Sequence, residues 1–187
     1  MKNTNTKYEI TVEEFCKQIV AKASEQIQKL GFIPATFICL GSRGTVQCSA
    51  PSLSDGRAVA RFANACRLLC VSEEASAAIF VAQVELGCGK PLAIKTPDSS
   101  AKGGPEYLLI QIELDGGQNQ THMVAILPGT GGRPKLGNCR VLLNGLLTRI
   151  TGALLPKAKP TEAERIVAEL AIQQNPRLKG YNPFQSN

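Results

Sequence analysis

The sequence has no tryptophan, only 5% aromatic residues and a single histidine, His122. The near absence of aromatics leaves a core built from aliphatic residues and alanine, and it argues against a single-strand nucleic-acid platform, which stacks bases on aromatic rings. One imidazole gives imidazole-dependent chemistry a single position to occupy. No apolar run approaches bilayer-spanning length, and the first thirty residues, which include MKNTNTKYEITVEEF, contain no signal-type apolar stretch. A cytoplasmic location is the expectation, and the seven cysteines are read as reduced thiols, an odd number that cannot all pair within the chain.

Glycine, proline and positive charge are present in quantity. Of 187 residues, 43% are hydrophobic and 19% charged, with a formal net charge of +6. This composition fits one globular domain large enough to bury a core, expected over residues 1–175 with an irregular tail over 176–187. Two glycine- and proline-rich connections stand out, Gly87 to Pro105 (GCGKPLAIKTPDSSAKGGP) and Pro128 to Gly137 (PGTGGRPKLG). Long loops in a compact domain are commonly working surfaces.

Local patterns give the element order. Thr11-x-x-Glu14 supplies a capping box and Gly31 a stop for a helix from about Val12 to Leu30, whose apolar residues recur at three- and four-residue intervals. Ala35–Leu40 and Thr45–Cys48 read as strands of a hairpin turning at Gly41–Gly44. Ser54 is the expected cap of a second helix reaching about Glu74, with Val59, Phe62, Ala63, Cys66, Leu69 and Cys70 on one face. Strands follow at Ala78–Leu86, Tyr107–Leu114 and Thr121–Leu127, the last two joined by a turn starting at Asp115-Gly116-Gly117. Residues 139–155 fit either a hairpin about Asn144-Gly145 or a helix. The hairpin sets Arg140 opposite Arg149, a like-charge pair that favours the helix. Thr161-x-x-Glu164 caps a final helix ending before Pro176. The expectation is an α+β fold, a mainly antiparallel sheet of about five strands with helices packed on it, in the order α-β-β-α-β-β-β-α-α. This order is similar in layout to roadblock- or profilin-like modules, and no residue motif carries the similarity.

Catalytic and cofactor motifs fail at identifiable positions. A phosphate loop needs a hydroxyl after Gly-Lys, but Pro91 follows Lys90, and Gly129-Thr-Gly-Gly132-Arg133 lacks the third glycine of the dinucleotide pattern. Leu-Gly-Ser42-Arg-Gly is one residue short of a nucleophile elbow and lies in a hairpin. Cys66-x3-Cys70 falls on an apolar helix stripe, where thiols pack as small hydrophobes, and Cys39 and Cys48 read as a buried thiol pair. Glu85, Asp98, Glu106 and Glu113 read as strand-end solvation. No cofactor and no metal are expected.

The leading expectation is therefore a non-catalytic interaction or structural module whose partner is another protein or a second copy of itself, with no membrane contact. The alternative is a sequence-independent nucleic-acid or polyanion binder using a basic rim of Lys90, Lys95, Lys102, Arg133, Lys135, Arg57 and Arg61. A third is an enzyme built on the loop thiol Cys88, beside Lys90, or on His122.

Overall fold

The computed structural model describes residues 12–50, 53, 55–86, 93–96, 104–129, 132–142 and 150–174. They form a mainly antiparallel sheet flanked by helices, the α+β arrangement expected. The elements are α1 (Val12–Leu30), β1 (Ala35–Gly41), β2 (Gly44–Ala50), α2 (Gly56–Ser72), β3 (Ala77–Glu85), β4 (Ala93–Ile94), β5 (Glu106–Leu114), β6 (Asn119–Leu127), β7 (Lys135–Leu142) and α3 (Glu162–Gln174). The sheet runs β2-β1-β3-β5-β6-β7, with the short β4 paired to the end of β3.

Strand β3 is the centre because its run Ala-Ala-Ile-Phe-Val-Ala-Gln-Val can be buried on both sides. Alternation sends Ala78, Phe80, Ala82 and Val84 to the face covered by α2, and Ala77, Ile79 and Val81 to the face covered by α1. Helix α1 meets its face with the stripe Cys16, Ile19, Ala23 and Ile27, and stops at Gly31, whose φ of 70° suits the left-handed position. On the other face α2 buries Ala63, Cys66, Leu69 and Cys70, and α3 packs behind it through Ala168 and Ile172.

Three local details differ from expectation. Asp55 caps α2, its Oδ1 accepting from Ala58 N at 2.7 Å, whereas Ser54 lies outside the described residues, as does Thr11 of the first capping box. The sheet has seven strands instead of about five, because Ala93–Ile94 inside the first glycine-rich connection pairs with Val84 and Glu85, and β7 is added beside β6. Residues Cys139–Leu142 belong to a strand and not to a helix, as β7 pairs with β6 from Lys135 onward. The physical reason is the backbone of β6: its outer edge needs hydrogen-bond partners, and β7 supplies them despite Gly137 and Asn138. Residues 143–149, the rest of the ambiguous stretch, lie outside the described residues.

The end of α2 fixes both helices on that side. Glu74 takes the left-handed position at φ 47°, with Ala75 N donating to Cys70 O and Glu74 N to Val71 O. Its carboxylate pairs with Arg165 and Lys159, tying α3 down. Glu73 beside it is buried and meets Arg43 from the β1–β2 turn, which also reaches Ser72 O and Glu169 of α3. Gly41 is required here, since a Cβ would stand 2.5 Å from Glu73 O.

Candidate functional site

Three places offer chemistry to a ligand or partner: the basic rim, a groove beside α1, and the outer face of α3. Of the described rim residues, Lys95, Arg133 and Lys135 lie at one end of the sheet. Pairing of Glu85 with Glu106 and of Leu127 with Lys135 shows that both glycine-rich connections leave from that end. Lys90, Lys102 and Cys88 lie outside the described residues. Lys95 is engaged, its ammonium on Glu106, which also accepts from the buried Gln83 at 2.6 Å. Arg133 and Lys135 are exposed at the opposite side of the sheet from Lys95, about four strand spacings of roughly 4.8 Å away. Arg57 and Arg61 are exposed on α2, on the other face from α1, while Arg67 is held by Ala153 O and Thr151 O at 2.7 and 2.6 Å.

The second connection owes a glycine to chain geometry. A Cβ on Gly129 would lie 2.0 Å from Arg133 O, so this residue permits the chain to fold back on itself. Gly132, at φ 76°, supplies the left-handed turn between them. Lys135 belongs to β7, which shortens the connection relative to the Pro128–Gly137 span read from sequence.

The groove lies between the first turns of α1 and the β6–β7 flank and encloses about 640 Å³. Helical spacing brings Cys16 and Val20 to its wall, strand alternation puts Gln120 and His122 on one side of β6, and β7 adds Cys139. Cys139 Sγ stands 3.8 Å from His122 Nδ1, and His122 Nε2 stands 3.2 Å from Gln120 Oε1. An amide oxygen only accepts, so the proton sits on Nε2 and Nδ1 presents its lone pair to the thiol. Burial holds the His122 pKa below its ordinary value and raises that of Cys139. The resting pair is consequently a neutral imidazole accepting from a neutral thiol. Cys16 is pushed up to about 11, first by burial and then by its proximity to Cys139.

The other described cysteines behave differently. Cys39, Cys66 and Cys70 are sealed under α2, and burial raises each thiol, Cys39 to about 12. Cys66 and Cys70 occupy the apolar stripe as the sequence indicates, and Cys39, Cys48, Cys66 and Cys70 are free thiols. Among the described residues no group of three or more Cys, His, Asp or Glu side chains is arranged to hold a metal ion.

On α3, Ile166, Val167 and Leu170 are 48%, 64% and 51% exposed. With Ala163 they form a stripe on the side turned away from α2, rimmed by Glu162, Glu164 and Glu169. The sequence marks the helix through its Thr161 cap, which the structure contains, Thr161 N donating to Glu164 Oε2 at 2.7 Å. A signal for the second face is also present in the sequence: α3 carries more aliphatic positions than the Ala168–Ile172 contact uses. The Cys139–His122 meeting has no such local signal.

Compared with protein-family models, curated proteins and solved structures, the chain has no match.

Proposed function

We propose that this protein is a binding module that docks a basic amphipathic helix of another protein on the outer face of α3. The supporting observation is the exposed stripe of Ile166, Val167 and Leu170 inside an acidic rim. Exposed apolar side chains at three- and four-residue spacing are the anchors of helix-on-helix recognition. The rim selects the partner. Glu162, Glu164 and Glu169 outnumber the helix's one cation, Arg165, and although Arg165 pairs with Glu162 and Arg43 with Glu169, the edge stays net acidic, so a second copy of the same face would bring acid against acid. A helix carrying lysines or arginines beside its apolar stripe complements both features. Further burial of three half-exposed aliphatic side chains contributes roughly 1 kcal/mol each, enough for a reversible contact once ordering costs are met.

The test uses a synthetic amphipathic peptide of leucine and lysine, titrated into the full chain at moderate salt. Since the chain is itself positive, at +6, binding of a cationic peptide needs a local acidic and apolar site. Saturable binding is expected, weakened about tenfold or more by the paired substitution V167S/L170S and less by E162Q. Unchanged affinity in V167S/L170S would sink the reading, and concentration-dependent self-association abolished by those substitutions would assign the face to a second copy instead.

The exposed cations Arg57, Arg61, Arg133 and Lys135 support a second reading, contact with a polyanion. Duplex DNA binding that falls steeply with salt is its expected signature, and no detectable binding at low salt would remove it.

A further inference from the structure

The groove beside α1 holds an arrangement that a docking function does not need. Two thiols and the chain's single imidazole face one cavity, and an amide oxygen sets which ring nitrogen meets the sulfur. From this geometry we infer that Cys139, His122 and Cys16 form a thiol-exchange site that reacts with small-molecule disulfides and closes to a Cys16–Cys139 bond.

Exposure assigns the roles. Cys139 is exposed at the edge strand, while Cys16 is 4% exposed on the buried stripe of α1, so an incoming disulfide meets Cys139 first. His122 Nδ1 takes the Cys139 proton as the sulfur attacks one sulfur of the disulfide. The S–S bond of the reagent breaks, and the departing thiolate takes the proton from the imidazolium, leaving a mixed disulfide on Cys139. Cys16 then gives its proton to His122 and attacks Cys139 Sγ. A bond forms between the two protein sulfurs, and the second reagent thiol leaves with the proton. The balance is two protein thiols oxidised and one small disulfide reduced to two thiols.

The chemistry explains why the base is neutral at rest. A neutral imidazole can accept a proton at each step, whereas a protonated one could not. Gln120 acts as a positioning residue, because its oxygen keeps the Nε2 proton in place and Nδ1 free. The product would join the first turns of α1 to the β7 edge and shut the groove, which separates this site from the docking face on α3.

The experiment treats the reduced full chain with oxidised glutathione under native conditions and maps the products by peptide mass spectrometry. The expected product is a Cys16–Cys139 peptide pair lighter by a pair of hydrogens. C16S should stop at glutathione on Cys139, and C139S should leave Cys16 unmodified over the same period. H122N should slow the first step roughly tenfold or more, with the circular dichroism spectrum unchanged. Should C139S fail to fold, limiting reagent on the unchanged chain identifies the first sulfur labelled. Glutathione retained on Cys139 while Cys16 is present, first labelling at Cys48 or Cys88, or an H122N rate equal to that of the unchanged chain would each overturn the assignment.

Discussion

The two faces of the sheet are covered by different means, and the difference decides what the same residue type does on each. On the α2 side, Phe80, Cys66, Leu69 and Cys70 are fully shielded, with Leu154 against them and α3 behind. On the α1 side one helix covers Ile79, Val81, Leu108 and Ile110, but the β6–β7 flank keeps a groove. Cysteines on the first face are packing material. Those on the second meet a base and an opening. Spacing along the chain would rank them the other way, since Cys66 and Cys70 are neighbours on a helix while Cys16 and Cys139 are far apart in sequence.

The largest test of this contrast is volume loss. F80A removes a ring that is fully buried and tilted against Phe62 at a centroid distance of 6.4 Å, so a loss of about 3–5 kcal/mol in urea unfolding is expected. V20A, at the groove wall, should cost less than about 1 kcal/mol. Equal losses would mean that the groove is as tightly filled as the core.

Next in size is the polar lock on the α2 side. R43A strips the buried Glu73 carboxylate of its ion pair while leaving it shielded, and also frees Glu169 of α3. Removing one partner of a fully buried pair costs roughly 3–5 kcal/mol; because Arg43 is itself 43% exposed, about 2–3 kcal/mol is expected here. G41A approaches the same spot from the backbone, with an expected cost of about 1–3 kcal/mol from the forced displacement of Glu73. A neutral result for both would show that the β1–β2 turn does not brace the end of α2.

Thiol accessibility distinguishes the faces without changing stability. Under native conditions iodoacetamide should label Cys139 at least roughly a hundredfold faster than Cys66 or Cys70, whose reaction requires opening of the α2 side. Comparable rates would erase the distinction on which the groove chemistry stands.

What the sequence discloses follows the range of the interactions involved. Helix α1 is legible over Val12–Leu30 because its stripe and its Gly31 stop are both local, and so are the Gly41–Gly44 turn and the Asp115-Gly116-Gly117 turn. Strand β7 is not, because Gly137 and Asn138 lower its intrinsic preference and only the unfilled edge of β6 makes it a strand. The rim was readable as charge but not as geometry: Lys95 is spent on Glu106, and Gly129 answers a close approach to Arg133 O that no pattern in the loop discloses. His122 could be singled out as the only imidazole. Its meeting with Cys139 depends on the register of β6 against β7, which pairs Val124 with Cys139 just before the register shifts between Val124 and Ile126.

Acid should disturb the two faces in sequence, the α1 side first as pH falls. The His122 pKa lies below its ordinary 6.5 because burial disfavours the imidazolium, so the unfolded chain binds its proton more readily. Its contribution is complete above 6.5 and is lost as pH falls through the folded value, loosening the α1 face around Cys139 and Cys16. Glu74 responds lower on the scale. Hydrogen bonds from Lys159 and then Arg165 hold its pKa below the ordinary 4.5, so the contribution of the α3 tether is present above 4.5 and fades as the carboxylate is protonated. Urea midpoints measured at descending pH should therefore show an upper step removed by H122Q and a lower one removed by E74Q. If E74Q instead flattened the upper step, the helix tether and the groove would be a single cooperative unit, and the independence of the two faces would fail.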